Sequence, residues 1–471
     1  MEYNIHKAEI IKKHKIFFFI GTTFLIISSN VILGHILPLE TFKFLFLINL
    51  VLIFGYYFTL FGKVWHPIFM FLSTLTLFQG GLIITSIFDP NIDLSYITLM
   101  GANINLEENN VRLTILLILL SYWFVLIGAL LGNNIKSFSS YAIKNKDEKL
   151  VKNFFLFVFC LTIPFYIYKN LIYFKYFLQH TYLGFYRSTE YLERAGFVTR
   201  FLGYFTFISF LGYFLLEQNK NKILMITLLW FILTLPIFFC GFRGSFFSFW
   251  CTTFIFYKHK FGNRLSLKEI LFIPIIISVL GLIVSSIREN LNFDLNLLKL
   301  IINSNPLLEF LKQQGVSFYV TAMAIQFYDE FAGNILKYLM YELPSALFSY
   351  ITSNPGRAFA TDLMIKINYE VFLLGYGTGS SYLAESYLLG GPVGVCLISF
   401  LIGYILSKLY IHFDFVNIWF KILIFVSLQY VFLLPRDLLL MPISQDIKAG
   451  FYLLLMFLFI KFRKLNIKNE L

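Results

Sequence analysis

The 471-residue chain is 58% hydrophobic and only 14% charged, with a mean hydropathy of +0.74, which excludes a soluble globular protein because too few polar side chains remain to cover a water-facing surface. Its net charge of +12 falls between apolar runs rather than in a basic domain, which argues against a nucleic-acid partner. The four cysteines, Cys160, Cys240, Cys251 and Cys396, lie inside apolar runs without metal-ligand spacing and read as small hydrophobes.

A membrane-crossing helix needs about 20 apolar residues, and twelve runs approach that length: residues 16–37, 41–62, 67–88, 112–132, 151–168, 201–216, 223–240, 245–257, 270–287, 383–407, 415–434 and 447–460. The expected fold is an all-α polytopic integral membrane protein, a single transmembrane domain over residues 1–471 with about 12 transmembrane helices. Lys7, Lys12, Lys13 and Lys15 precede the first run, which is too long for a signal-peptide core and lacks a small-residue cleavage site. It reads as an uncleaved span with a cytoplasmic N-terminus. Alternation then puts Lys63, the run from Lys136 to Lys152, Lys220, Lys222, the cluster from Lys258 to Lys268, Lys408 and the C-terminal basic residues on the cytoplasmic side, with both termini inside. The acidic stretch from Asp89 to Glu108 falls outside.

Two outer segments are long. Residues 169–200 form a first outer loop, and residues 288–382 a larger one. In the larger, apolar patterns over Val316–Phe331 and Leu336–Phe348 predict helices that lie on the membrane or pack across its surface.

On this topology eight of the ten arginines lie outside or at outer helix ends: Arg112, Arg187, Arg194, Arg200, Arg243, Arg288, Arg357 and Arg436. The usual bias of cations runs the other way. A guanidinium offers a rigid fork of donors that matches phosphate bidentately, so an outward-facing cluster points to a phosphate or pyrophosphate held at headgroup depth. Arg243 stands between Gly241 and Gly244, whose missing side chains admit a ligand to the backbone. Arg436 follows Pro435 and precedes Asp437, a possible neutralising partner. Arg112 and Arg200 start helices, where snorkelling to headgroups accounts for them, and Arg194 has Glu190 and Glu193 close by.

None of the runs carries Asp, Glu, Lys, Arg or His near its middle, which argues against an ion-coupled transporter and for binding or chemistry at the outer boundary. Glu385 follows the glycine-rich stretch from Gly375 to Gly379 and lies about one turn inside the tenth run. A general base or hydroxyl anchor and a carboxylate favoured by the helix dipole both account for it. His180 is a second candidate base and equally a surface residue. The outer segments hold no HExxH, paired-His or Asp-x-Asp pattern, so no catalytic metal and no cofactor are expected.

The twelve runs, two enlarged outer loops, the Gly-Phe-Arg-Gly turn at 241–244, the GYGTGSSYLAESYLLGGPVG stretch at 375–394 and the Arg-Asp pair at 436–437 together resemble the O-antigen polymerase (Wzy-type) oligosaccharide repeat-unit polymerases. That resemblance implies an architecture similar to O-antigen ligases and C-type membrane glycosyltransferases, in a bacterial cytoplasmic (inner) membrane with the site facing the periplasm. It implies undecaprenyl-diphosphate-linked oligosaccharides as substrates, with membrane lipids, a chain-length regulator and a flippase as partners. The growing chain would pass from its carrier to a fresh lipid-linked unit by metal-independent transfer with inversion. Arg243 and Arg436, with Arg357, Arg288 and Arg187, would then hold the donor diphosphate. Glu385, or alternatively Asp362 or His180, would engage the acceptor hydroxyl, while Tyr376, Tyr382 and Tyr387 would stack on sugars. An O-antigen ligase would share every feature but its acceptor. A lipid-linked oligosaccharide flippase would require a charged central cavity and internal pseudo-symmetry, neither of which is legible.

Overall fold

The computed structural model describes residues 2–62, 65–99, 102–134, 148–187, 190–262, 305–348, 358–373 and 377–469. The fold is all-α and polytopic, and among the described residues ten helices are long and apolar enough to cross a membrane. They match ten of the twelve expected runs. The run at 245–257 lies in a less apolar helix, Arg243–Phe261, and that at 270–287 lies outside the described residues.

The N-terminal half comprises α1 (Glu2–Ile36), α2 (Leu39–Phe61), α3 (Pro67–Leu75), a π-helical turn (Thr76–Gly80) leading into α4 (Gly81–Phe88), a hairpin of β1 (Tyr96–Leu99) and β2 (Ala102–Asn105), and α5 (Glu108–Asn134). The hairpin pairs Tyr96 with Asn105 and Thr98 with Asn103. It folds the acidic connection back on itself. There follow α6 (Glu148–Arg187), α7 (Glu190–Ala195), α8 (Phe197–Leu216), α9 (Lys220–Phe239) and α10 (Arg243–Phe261). Residues 169–200 are thus mostly helical, since α6 continues to Arg187 and α7 begins at Glu190.

Polar contacts join helix ends at each face of the bundle. At one face, Lys152 near the start of α6 reaches Glu217 just past the end of α8 at 3.2 Å, and Lys260 near the end of α10 donates to the Leu215 carbonyl at 3.2 Å. At the other, Arg112 in the first turns of α5 donates to the terminal carbonyls of α1, Gly34 at 3.1 Å and Leu37. Unpaired carbonyls at a helix C-terminus favour a cation there.

The second half holds α11 (Pro306–Gln314), α12 (Ser317–Gln326), α13 (Tyr328–Phe331), α14 (Ile335–Phe348), α15 (Phe359–Ile367), α16 (Tyr369–Leu373), α17 (Tyr382–His412), α18 (Ile418–Val431) and α19 (Met441–Asn469). Every residue of α12 from Ser317 to Ile325 is buried, because a helix apolar on all sides must be covered on all sides. The α11–α12 hairpin inserts its bend against α4, where a Cβ on Gly315 would lie 2.3 Å from the amide nitrogen of Leu82.

The tenth run is also not one straight span. α17 is broken at Gly390 and Gly391, the latter at φ 58°, ψ −148°, a region open essentially to glycine alone. A Cβ on Gly394 would lie 2.2 Å from the Ser386 carbonyl oxygen, and the Tyr382 hydroxyl lies 3.3 Å from Ser399 Oγ. A straight helix would hold Tyr382 and Ser399 about 25 Å apart. Residues 382–389 therefore fold back alongside the crossing helix that starts at Pro392. That helix crosses α5 at glycine contact, with a Cβ on Gly128 only 2.0 Å from the Phe400 carbonyl, the close approach that small residues permit in membranes.

Candidate functional site

Three non-spanning pieces, the α11–α12 bend, the folded-back start of α17 and the 434–439 turn, converge on the π-helical turn of the third span. Its Gln79 is fully buried. The Gln79 amide nitrogen donates to Ser381 Oγ at 2.9 Å, to the Pro435 carbonyl at 2.6 Å and to the Ser317 carbonyl at 3.3 Å, and its oxygen accepts from Thr321 Oγ1 at 3.1 Å. A π turn re-aims a side chain that an α-helix would direct elsewhere, and such turns recur at functional sites.

Glu385 is the second tie. It is fully buried, with one carboxylate oxygen accepting from Ser380 Oγ and the other from the Leu439 backbone N–H at 2.7 Å. Ser381 caps the helix start by accepting from the Leu383 N–H. The carboxylate thus joins the folded-back helix to the turn that carries Arg436. Both of its oxygens serve that junction in this arrangement.

Arg436 is exposed at the end of the Leu434–Arg436 turn. Its Nη1 donates to Gln314 Oε1 at 2.8 Å, and its guanidinium carbon stands 5.6 Å from the Phe78 ring centre. The helix below it, α18, runs on into the turn, and Ile418–Arg436 together form a 19-residue apolar stretch. Asp437 is partly buried and accepts the Leu438 N–H on Oδ1 at 2.8 Å. Burial pushes its carboxyl up to about 6 against the opposing pull of that N–H and of Arg436. Gly379, at φ 74°, passes beside the Arg436 carbonyl. The arrangement presents one guanidinium and one carboxyl near neutrality on a turn held from behind by Gln79 and Glu385, a geometry suited to gripping an anion and taking a proton.

The remaining candidates divide. Arg243 opens α10 two residues after Gly241, which stands at φ 100°. Its neighbour Gly244 lines a small cavity of about 100 Å³ with Phe78 and Gln314, so the Arg243 backbone lies beside the Arg436 region. Arg288, Arg357 and Tyr376 lie outside the described residues, as do the side chains of Arg187 and Arg243. Tyr382 is fully buried, with its ring 5.9 Å from Phe71; it packs the core and offers no face to a sugar. Tyr387 is half-buried against Tyr328. Asp362 accepts the Tyr338 hydroxyl at 2.9 Å and lines a separate cavity with Glu330 and Lys366. His180 is exposed and stacks on Tyr176 at 4.1 Å, in a cluster where Arg194 pairs with Glu190 at 2.5 Å. Neither Asp362 nor His180 contacts the Glu385 cluster. Among the described residues no three His, Cys, Asp or Glu side chains are placed to hold a metal ion.

Gln79, inside the third apolar run, and Gln314, in the larger outer segment, carry no charge, so a reading built on ionisable side chains passes over both. The signal was present: Gln79 is a polar interruption of an apolar run, followed by two glycines. That reading also assigns Arg200 to headgroups. The structure places Arg200 with Lys169 and Lys448 on the wall of a cavity of about 390 Å³ among α6, α7, α8, α9, α10, α18 and α19.

A family model described as O-antigen polysaccharide polymerase Wzy matches residues 12–469, nearly the whole chain. No curated protein and no solved structure matches the sequence.

Proposed function

Because the chain belongs to the O-antigen polysaccharide polymerase Wzy family, we propose that the turn at Arg436 is where a lipid-diphosphate-linked oligosaccharide gives up its sugar chain to a second lipid-linked unit. The observation that carries this reading is the placement of Arg436 on a turn fixed by Gln79 and Glu385, beside the start of α10 with Arg243.

In this reading the acceptor hydroxyl attacks the anomeric carbon of the donor, the bond from that carbon to the diphosphate oxygen breaks, and the isoprenoid diphosphate leaves. Negative charge grows on the leaving oxygens, and the Arg436 guanidinium, steered by Gln314, meets it with paired donors. Arg243, Arg357, Arg288 and Arg187 remain proposed contributors to that grip. Asp437, adjacent and with a carboxyl near neutrality, takes the hydroxyl proton. Glu385 acts as a positioning residue that holds the Asp437–Leu439 backbone. A single displacement inverts the anomeric centre. The site faces away from the lysine-rich ends of the helices, hence away from the cytoplasm, which fits undecaprenyl-diphosphate carriers displayed on the periplasmic side of the inner membrane.

The test is reconstitution of the purified protein with lipid-diphosphate-linked repeat units. A ladder of chain lengths is expected. Transfer only onto a lipid A core acceptor, with no ladder, would replace the polymerase reading with a ligase.

A further inference from the structure

The small cavity beside Arg436 has no part in the step described above. Its walls are apolar: Leu77 and Phe78 of the π turn, Phe247 of α10, Phe310 of α11, and Phe432 and Leu433 past the end of α18. The polar groups on the same walls are engaged elsewhere. Thr74 Oγ1 donates to the Phe71 carbonyl at 3.0 Å, Ser248 Oγ donates to the Gln429 carbonyl, and Gln314 Oε1 accepts from Arg436. The lining therefore offers chiefly hydrocarbon. Apolar cavities stay dry, and one of about 150 Å³ takes up benzene, so a space of about 100 Å³ suits a hydrocarbon fragment of a few carbons.

Its position relative to Arg436 is the second observation. Phe78 and Gln314 both line the cavity, and both touch the arginine: the Phe78 ring centre stands 5.6 Å from the guanidinium carbon, and Gln314 Oε1 lies 2.8 Å from Nη1. Gly244, which follows Arg243, lines the same space. A diphosphate gripped at Arg436 therefore brings the first carbons of its ester chain to the edge of this cavity.

We propose that this cavity receives the first isoprene unit of the donor's lipid, the one esterified to the diphosphate, and thereby selects a branched carrier chain over a straight one. This rests on the polymerase reading of the Arg436 turn. An isoprene unit carries a methyl branch, and a compact pocket walled by Phe78, Phe247, Phe310 and Phe432 can read such a branch by fit. Lipid tails are as apolar as these side chains, so the gain comes from close packing around the branch rather than from transfer out of water. What the packing supplies is a fixed position for the diphosphate against the guanidinium.

The experiment titrates farnesyl diphosphate, and dodecyl diphosphate as its unbranched counterpart, into the full-length protein in nanodiscs of zwitterionic lipid, and reads the ratio of the two affinities. The wild type should favour farnesyl at least about threefold, below the roughly tenfold that one carbon is worth where a pocket competes with water. Cys251→Leu, which fills the cavity, should bring the ratio to about one. Gly244→Ala, whose methyl meets the Leu433 side chain at 3.3 Å, should lower it independently, whereas Cys251→Ala leaves the space open and retains it. Arg436→Lys should weaken both ligands alike. Damage to the fold lowers both affinities and leaves their ratio, so the ratio isolates the pocket. Equal binding of the two ligands by the wild type overturns the proposal. So does a wild-type ratio in both Cys251→Leu and Gly244→Ala, which would make the cavity a packing void, and so do unchanged affinities in Arg436→Lys. Binding is read without polymer, so a missing ladder in the wild type falls on the polymerase reading and not on the pocket.

Discussion

The Gln79 side-chain amide donates to the Pro435 carbonyl at 2.6 Å, a contact between residues 356 positions apart. Through it the π turn of the third span fixes the residue immediately before Arg436. The same nitrogen reaches Ser381 Oγ at 2.9 Å, so one side chain sets the arginine turn and the folded-back helix against each other. An outward-facing guanidinium is useful only if its backbone does not drift, and these bonds supply the restraint.

Gln79→Glu puts an acceptor-only group against the carbonyls of Pro435 and Ser317. Two buried carbonyls lose their donor, and each such loss costs about 1–3 kcal/mol. The variant should unfold at a clearly lower temperature and form little polymer even where it remains folded. A wild-type melting curve and ladder would show that the Gln79 bonds are dispensable.

The break in α17 should be equally sensitive. Gly394→Ala puts a methyl where the Ser386 carbonyl lies 2.2 Å away, and backbone against backbone cannot yield without moving residues 382–389. Those residues carry Glu385, so the Leu439 tether moves with them. Polymer yield should fall by about tenfold or more, as misplacement of a site by about 1 Å commonly does. Gly450→Ala, where nothing lies within 4 Å of the added methyl, is the control and should be silent. Equal activity in the two would remove the folded-back segment from the site.

Helix length and charge alternation were legible because the bilayer fixes both: apolar runs of the right length and lysines between them leave little freedom. The interior of the site was not. Tyr382–Leu389 runs without a break in sequence into the apolar stretch that follows, and Gly390-Gly391-Pro392 reads as close helix packing until Tyr382 is seen beside Ser399. Glu385 was found as an unusual carboxylate, but its two partners, Ser380 and Leu439, are a near neighbour and a residue 54 positions away. Lys169 and Lys448 carry the sequence signature of snorkelling side chains, and only the packing of the surrounding helices places them on one cavity.

Asp437 gives the protein a pH signature. Its carboxyl is raised by burial to about 6 from an ordinary 3.8, so between those values the folded state binds more protons than the unfolded one. Stability from this group is complete below about pH 4 and is lost as pH rises through about 6. Catalysis runs the opposite way, because the proton acceptor must be ionised: kcat/KM should climb with pH through about 6 and level off. Asp437→Asn should flatten both slopes and leave a low, pH-independent rate. An unchanged ascending limb in Asp437→Asn would assign the titration to another group.

Two arginines at the same face test whether the guanidinium fork matters where a ligand is gripped. Arg112 spends its donors on Glu108 at 2.6 Å and on the carbonyls ending α1, a role in which a lysine keeps the favourable charge at a helix C-terminus, worth about 0.3–1 kcal/mol. Arg436 is exposed and has Gln314 to orient it, and in the proposed reaction it meets the leaving diphosphate. Arg112→Lys should therefore cost a little stability and leave the ladder intact. Arg436→Lys should leave the melting temperature near that of the wild type and reduce polymer by about 100-fold or more, the scale on which losing a preorganised donor slows a reaction. Wild-type ladders from both variants would mean that charge alone suffices at position 436, and the paired-donor account of the leaving group would fall with it.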